Sequence, residues 1–459
     1  YPGENEYSKL IQNNGGYSNA FTSASHTNYH FDIHPSLLSD ALDVFAQFFI
    51  SPLFLPSSIN RELQAVHSEF ESNLFQDSWR IPQVQKSTAN SEHSYSRFAS
   101  GNIETLQTIP KRCEVDIRQI LLNFYENEYS ANRMSLAVLG NQSLGELQSF
   151  VVRSFTKIAN KQLLIQNYPA DPIGGTKRKT VSYIVPITKC RSMTITWVVP
   201  DHRELYYCNS ESYLAFLIHH EGVGSILHHL KRLGLATELF ASGGTNFAPG
   251  FNFFVIDLEL TIDGLERWQD VAYLIYQYMT MIRKEEPKEW IFHERKDYPL
   301  TDCLFGNYDM REFRPDLIRE LLDEYLIPSK MRIFPIGEEF TTIATEKEKW
   351  YGTQYKQEYL CEEFIRKCET CDMIPDIHMP LPNDFIPTDF RLYHNQQENE
   401  FFRLYYAEDA FYKLPKAFIN FELRNRLVNV DPIHLNMNSI YVEFVKDSLS
   451  DIGVVQETV

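Results

Sequence analysis

The first part of the chain alternates apolar and polar residues and then switches to helical spacing. Apolar side chains occupy every second position of TNYHFDI (27–33), which predicts a strand with one packed face. In PSLLSDALDVFAQFF (35–49) the apolar residues recur at helical spacing, which predicts an amphipathic helix that ends before Pro52. A second helix is predicted to begin at about Ser58.

The same order of elements returns about 220 residues later. FNFFVIDLELT (251–261) is predicted to be a strand, and IDGLERWQDVAYLIYQYMTMI (262–282) an amphipathic helix. Strand-like segments also precede both strands, namely SNAFTSA (18–24) and TELFASG (237–243). Each copy is therefore predicted to be a hairpin that leads into a helix, and the fold class to be α/β with repeated domains.

Breaks in the periodicity predict the domain boundaries. Pro, Gly and Lys cluster in LLIQNYPADPIGGTKRKT (163–180), just before the strand-like VSYIVPI, and Pro and Asp cluster in MPLPNDFIPTDF (379–390). We expect a first domain over 1–170, a second over 171–385, and a linker with the start of a third over 386–459. In the third, KAFINFEL predicts a strand and NMNSIYVEFVKDSL a helix.

Composition narrows the class of protein. Hydrophobic residues make up 43% of the 459 residues and charged residues 23%, as in folded globular proteins. A net charge of −18 argues against a nucleic-acid partner, and no apolar run is long enough to predict a membrane span. The chain begins at Tyr1 without a recognisable secretory signal, and its seven cysteines are scattered, so we expect free thiols and a cytoplasmic location.

Two clusters of potential metal ligands are better explained without a metal. His26, His30 and His34 are four residues apart, and in an extended strand their side chains would lie about 13 Å from one another, too far to share one ion. Residues 361–371 (CEEFIRKCETC) contain a single Cys-x-x-Cys, whereas closed zinc sites use two paired ligand clusters. We expect solvent-facing histidines and free thiols.

Two further segments are candidates for binding. HHEGVGS (219–225) has no second histidine three residues after its His-Glu pair, and its glycines predict a tight turn that exposes backbone groups to a ligand. In RELQAVHSEFESN (61–73), Glu62 and Glu69 are seven residues apart and so lie on one side of the predicted helix, at the edge of its apolar stripe. From periodicity alone they are expected to be solvated acids.

Several long segments carry a family resemblance. They are YPGENEYSKLIQNNGGYSNAFTSASHTNYHFDI, RELQAVHSEFESNL, DSWR, FLIHHEGVGSIL, REFRPDLI, EKWYGTQYKQE, KLPKAFINFEL and VKDSLSD. Over essentially its whole length the chain resembles the pitrilysin-like zinc peptidases, also called inverzincins. The resemblance implies homologous domains, each a mixed sheet packed against helices, and two halves that close round a chamber. It also implies zinc-dependent hydrolysis of bioactive peptides such as insulin-like hormones.

The resemblance assigns roles to particular residues. Glu69 matches a zinc ligand and Glu62 an acid that supports the site. The segment SNAFT matches an edge strand that pairs with an extended peptide, and Trp79 matches an aromatic wall beside the cleavage site, although a core tryptophan is an equal alternative. The remaining matches form a site for the amino terminus of the substrate, and the substrate-binding residues are Asn19, Ala20, Phe21, Trp79, His220, Glu221, Gly222, Leu239, Ala241 and Gly243.

Three departures from the family pattern qualify this prediction. No His-x-x-Glu-His motif occurs in the 459 residues, residues 300–311 replace a longer helical stretch, and the sequence stops at Val459. We therefore expect Zn²⁺ to bind only in a full-length parent, and this chain alone not to cleave peptides. Expected partners are peptides and either a C-terminal half or a second copy. The alternative is a catalytically dead peptide-binding subunit, and sequence upstream of Tyr1 would distinguish the two.

Overall fold

The computed structural model describes residues 5–164, 168–243, 247–294 and 312–381, with 398–399, 402–403, 437 and 440–441. The helices in these ranges are α1 (Glu6–Asn13), α2 (Leu38–Ile50), α3 (Pro56–Asn73), α4 (Asp77–Ser87), α5 (Ile109–Arg112), α6 (Ile117–Glu128), α7 (Leu144–Phe155), α8 (Ser210–His219), α9 (Ile226–Arg232), α10 (Ile262–Glu266), α11 (Trp268–Lys284), α12 (Glu289–Glu294), α13 (Pro315–Glu320) and α14 (Glu362–Glu369). The strands are β1 (Tyr17–Thr22), β2 (Thr27–Asp32), β3 (Thr180–Ile184), β4 (Ser192–Val199), β5 (Ala236–Gly243), β6 (Asn252–Leu260), β7 (Arg332–Ile336), β8 (Glu346–Lys347), β9 (Gln354–Tyr359), β10 (Glu398–Asn399) and β11 (Phe402–Arg403). None of the described helices combines the length and apolarity needed to cross a membrane.

The first unit is a hairpin packed against helices. β1 and β2 pair antiparallel from Tyr17↔Asp32 to Thr22↔Thr27, as the sequence predicted. Phe31 of β2 packs against Phe45 of α2, with ring centroids 5.1 Å apart. The second predicted helix is α3, which begins at Pro56 rather than Ser58 because proline suits the first helical turn.

The second unit is a seven-stranded sheet in the order β5-β6-β4-β7-β3-β9-β8. β3 and β7 run parallel, and the other neighbours pair antiparallel. The predicted hairpin of the second copy is present as β5 and β6, and both copies of the repeat are confirmed. The predicted helix after β6 is divided into α10 and α11, because Arg267 between them leaves helical geometry with φ −105° and ψ 31°.

A large apolar core holds the second unit together. Strand residues Ile195, Trp197 and Ile256 are at most 1% exposed, and they belong to the same core cluster as Leu214 of α8 and Ile275 of α11. The alternating burial of β6 gives this strand one fully packed face. The sheet is therefore a rigid support for whatever its edges bind.

The domain boundaries remain predictions. Every strand of the seven-stranded sheet lies within residues 180–359, whereas the β1–β2 hairpin lies within 17–32. Residues 300–311, where the sequence predicted a deletion, lie outside the described residues. The predicted strand KAFINFEL of the third unit lies outside them as well, and of its predicted helix only residues 437, 440 and 441 are described.

Two glycines provide a test of the packing. A Cβ atom at Gly264 in α10 would lie 1.8 Å from the Leu235 carbonyl oxygen, whereas one at Gly145 in α7 would meet nothing within 4 Å. We expect Gly264→Ala to lower the free energy of unfolding by about 1–3 kcal/mol. The control Gly145→Ala should leave it unchanged or raise it by up to about 1 kcal/mol. Urea unfolding followed by tryptophan fluorescence measures both, and equal effects would contradict the close contact.

Candidate functional site

Helix α3 carries the two acids singled out from the sequence. Phe70 and Asn73 are its buried residues, while Glu62 and Glu69 are both exposed. The predicted apolar stripe is present but less buried than expected, since Leu63, Val66 and Leu74 are only half-buried. In the described residues the two acids are thus positioned at a surface, as the helical periodicity predicted.

The residues around Glu69 do not by themselves form a metal site. Among the described residues, no group of three or more His, Cys, Asp or Glu side chains lies close enough together to hold a metal ion. Catalytic zinc sites require three protein ligands, so one exposed carboxylate does not suffice. Glu69 is at most one ligand of a site whose other members these residues do not provide.

A loop from the second unit reaches α3 near Glu69, which the sequence did not reveal. Tyr351 packs on Phe70, with ring centroids 5.3 Å apart. Burial chiefly raises the pKa of the Tyr351 hydroxyl, and the negative charges of Glu348 and Glu69 raise it further. Buried Glu348 holds the loop by accepting the amides of Trp350 (2.8 Å) and Tyr351 (2.7 Å). The motif EKWYGTQ signalled family membership, but only the fold brings it to α3.

The predicted peptide-binding edge is β1. The Ser23 amide donates to the His26 carbonyl (2.8 Å) beside the turn, so these two residues form a hydrogen-bonded pair. Such pairs alternate along an antiparallel ladder, so every second residue of β1, counted back from Ser23, is hydrogen-bonded to β2. Ala20 lies between those residues and directs its backbone amide and carbonyl to the outer edge. Its amide donates to the Asn19 side chain (2.8 Å), and Phe21 is 52% exposed. In the described residues β1 pairs only with β2, which leaves this outer edge open.

Trp79 lies on α4 and is 38% exposed in the described part of the chain, so it is not enclosed in a core there, and its role beside a cleavage site stays a prediction. The first turn of this helix is fixed to the second unit. Asp77 accepts the amides of Ile187 and Thr188 at 2.8–3.1 Å, and Arg80 donates to the Tyr351 carbonyl (2.6 Å). Trp79 is therefore a surface aromatic on a well-anchored helix.

The other predicted substrate residues come together at the end of the sheet. β5 is one of the two edge strands of the seven-stranded sheet, and the ring of His219 at the end of α8 lies 5.2 Å from that of Phe240 in β5. The turn containing His220, Glu221 and Gly222 follows directly on α8. Leu239 and Ala241 are buried, and Gly243 is half-buried, so this edge can offer a ligand backbone groups rather than their side chains.

Charges around this turn are partly paired. Glu221 is exposed and forms an ion pair with Lys231 (3.7 Å). Burial chiefly lowers the pKa of His220, against the opposing effect of Glu221. Gly224, at φ +88°, has no room for a side chain, because a Cβ there would lie 2.3 Å from Nε2 of His378. The turn is thus held in one shape with its acid accessible.

A buried ion pair lies behind Gly243, and no pattern in the sequence predicted it. His202 Nδ1 lies 2.6 Å from Oε1 of Glu211, which is 3% exposed. A Cβ at Gly243 would lie 2.9 Å from the Glu211 Cβ, so the pair is next to the end of β5. The hydrogen bond to Glu211 raises the pKa of His202 above 6.5.

Family models match along most of the chain. Residues 1–92 match "Insulinase (Peptidase family M16)", residues 116–298 match "Peptidase M16 inactive domain", and residues 276–454 match "Middle or third domain of peptidase_M16". The repeated fold and the three family-model matches all point to the same family of proteins. The chain belongs to peptidase family M16, whose members are metallopeptidases.

Comparison with individual proteins shows which members of this family the chain resembles. The chain is 38% identical to the insulin-degrading enzyme of Bos taurus over 100% of its own length and 48% of that protein. It is 31% identical to a Schizosaccharomyces pombe protein named as a zinc protease, over 98% of the chain and 50% of that protein. The crystal structure of pitrilysin superposes with a TM-score of 0.79 at 20% identity, covering 87% of this chain and 45% of that one. The chain thus spans about half the length of the curated relatives that it matches.

The His202–Glu211 pair predicts a dependence of stability on pH. Because folding raises the pKa of His202, its contribution to stability is complete below pH 6.5 and is lost as the pH rises through the folded-state pKa. Glu320 and Asp201 also favour the charged imidazole. We expect the free energy of unfolding to fall over this window, and His202→Gln to flatten that fall, whereas replacing exposed His30 by Gln should not. An unchanged slope in His202→Gln, measured by urea unfolding at several pH values, would contradict this assignment.

Proposed function

We propose that the chain carries the peptide-binding surfaces of an M16 metalloendopeptidase that degrades bioactive peptides, such as insulin-like hormones, inside a closed chamber. The observation that carries the proposal is the open outer edge of β1, where Ala20 directs backbone groups outward beside exposed Phe21. An extended peptide can add to such an edge as a further strand. Main-chain hydrogen bonds then hold peptides of many sequences, while Phe21 and Trp79 contact their side chains.

A second contact holds the amino terminus of the peptide. In this proposal the exposed carboxylate of Glu221 binds the terminal ammonium, and the edge of β5 at Leu239, Ala241 and Gly243 pairs with the first residues. Glu221 is already 3.7 Å from Lys231, so the ammonium replaces a lysine rather than meeting an isolated acid. Exchange between two exposed ion pairs costs little free energy, which suits reversible substrate capture.

The proposed metal is Zn²⁺, bound in the whole protein with Glu69 as one ligand and Glu62 as a supporting acid. The His-x-x-Glu-His motif that would complete the site does not occur in these 459 residues. This chain by itself is therefore proposed to bind peptides without hydrolysing them. A C-terminal half or a second copy of the chain is the proposed partner.

The alternative is a subunit that binds peptides and never cleaves them. The outer edge of β1 and the exposed carboxylate of Glu221 would serve such a subunit equally well, because neither contact involves a metal. For both alternatives we infer a cytoplasmic location. The unpaired cysteines of the described residues, which include exposed Cys113, support this location. Metal content separates the alternatives in the whole protein, since only the peptidase requires stoichiometric zinc bound through Glu69.

The proposal predicts how this chain binds a labelled peptide. A fluorescent peptide of about 15 residues with an unblocked amino terminus should bind and, by fluorescence anisotropy, lose affinity when alternate backbone amides are N-methylated, because strand addition needs them. Acetylating the amino terminus should weaken binding to the original chain by about tenfold, the value of one charge-assisted hydrogen bond. In Glu221→Gln the acetylated and unblocked peptides should bind equally.

The control for Glu221 is Glu266→Gln, which changes an exposed acid outside the predicted site. It should keep the preference for an unblocked amino terminus. Equal binding of the N-methylated and unmodified peptides would contradict strand addition. Equal effects of Glu221→Gln and Glu266→Gln would contradict the amino-terminal site.

The zinc proposal makes a separate prediction. Purified, dialysed chain should contain well under one zinc per molecule by elemental analysis, because one carboxylate cannot retain the ion. Tightly bound zinc at one per molecule that survives dialysis would show that these residues form a site after all. In that event Glu69→Gln should release it if Glu69 is a ligand, with Glu71→Gln as the matched control on the same helix.

A further inference from the structure

A cavity of about 210 Å³ lies between the first and second units. Lys86 of α4 and Tyr95 line it on one side. The opposite wall comes from the sheet and the segment before β6, and includes Thr196, Ser242, Phe247, Phe253 and Arg332. None of these residues was assigned a role from the sequence, and the cavity is separate from α3.

Two cations line this cavity, and none of the described residues that line it is an acid. Lys86 Nζ lies over the rings of Tyr95 and Phe247, 5.3 and 5.9 Å from their centroids. Arg332 is 2% exposed and donates to the Gln85 carbonyl (3.1 Å) and the Thr88 hydroxyl (2.6 Å), while its Nε has no partner in the described residues. In a chain with 61 acidic and 43 basic side chains, a cavity whose described lining has two cations and no acid is an unexpected arrangement.

Hydroxyl groups add unused hydrogen-bonding capacity. Tyr95, Thr196 and Ser242 line the cavity, and their hydroxyls form no hydrogen bond within the described part of the chain. Burial raises the pKa of Tyr95 to about 12, so its phenol remains a donor at neutral pH. All three residues are half-buried, so their hydroxyls are available to a ligand that enters the cavity.

The remaining walls restrict the kind of molecule that fits. Phe247, Phe253 and Val255 are apolar, and Tyr95 presents its ring. Sites for drug-sized molecules enclose about 300–1,000 Å³, so this cavity suits a smaller one. An inorganic anion would leave the apolar walls without contacts, and a neutral hydrocarbon would leave the cations unpaired.

We propose that this cavity binds a small organic carboxylate with an aromatic or branched apolar body. The carboxylate lies between Lys86 and the Arg332 side, and the apolar body lies against Phe247 and Phe253. Tyr95, Thr196 and Ser242 donate to the remaining oxygen lone pairs. The proposal does not depend on the peptidase assignment.

The direction of the pKa shift of Lys86 agrees with a carboxylate bound beside it. Burial lowers its pKa, which shows that the surroundings disfavour the charged amine as they stand. A bound anion would reverse this by supplying the missing negative charge. Removing the positive charge should accordingly weaken anion binding more than it weakens the fold.

Calorimetric titration of the chain with phenylacetate, phenylacetamide and inorganic phosphate tests the proposal. Phenylacetate should bind at least about tenfold more tightly than its neutral amide, since one charge-assisted interaction is lost in the amide. It should also bind more tightly than phosphate, which lacks the apolar body. Lys86→Met should weaken phenylacetate by about tenfold or more, and Lys86→Arg should restore part of the affinity. The matched control is Lys111→Met, an exposed lysine away from the cavity.

Tyr95→Phe keeps the ring, removes only the hydroxyl and serves as a second variant if Lys86→Met does not fold. It should weaken phenylacetate by about two- to tenfold. Three results would overturn the proposal: no phenylacetate binding at millimolar concentration, equal binding of acid and amide, or unchanged affinity in both variants. Phosphate binding as tight as that of phenylacetate would overturn the choice of an organic ligand.

Discussion

Arg332 is the buried charge that joins the first unit to the second. It is the first residue of β7, in the middle of the sheet, and its guanidinium reaches across to the Gln85 carbonyl and the Thr88 hydroxyl at the end of α4. Burial lowers its pKa to about 10, so holding a cation here is unfavourable by itself. A buried charge is tolerated where its hydrogen bonds are specific, and these bonds fix one orientation of α4.

The other contacts of α4 make sense once that orientation is fixed. Asp77 at its beginning binds the amides of Ile187 and Thr188, and Ser87 at its end donates to Glu348 (3.2 Å). Glu348 in turn holds the loop that brings Tyr351 to α3. The helix with Glu69 is consequently supported by the second unit, and a change in the sheet could alter the position of an acid far from it in sequence.

Much of the local structure was predictable, because a helix or strand that buries one face has apolar residues at a regular spacing in the sequence. The segments TNYHFDI and FNFFVIDLELT contain β2 and β6, since alternation is kept wherever one side of a strand packs. The contacts between the units were not predictable. Arg332 and Thr88 are 244 residues apart, and neither lies in a pattern that marks a partner. The break at Arg267 and the 40% exposure of Phe48, an apolar residue at helical spacing in α2, were not predicted either.

The candidate sites differ in whether side chains or backbone groups would contact the ligand. Glu62 and Glu69 could be located by spacing alone, because a helix converts sequence separation directly into position. At β5, by contrast, the side chains of Leu239 and Ala241 are buried in the core. Their residue types therefore reflect packing, whereas a ligand at that edge would contact the backbone. Edge recognition therefore leaves little trace in composition or motif. It becomes visible only when the sheet order shows which strand lacks a neighbour, as it does for β5 and for β1 in the described residues.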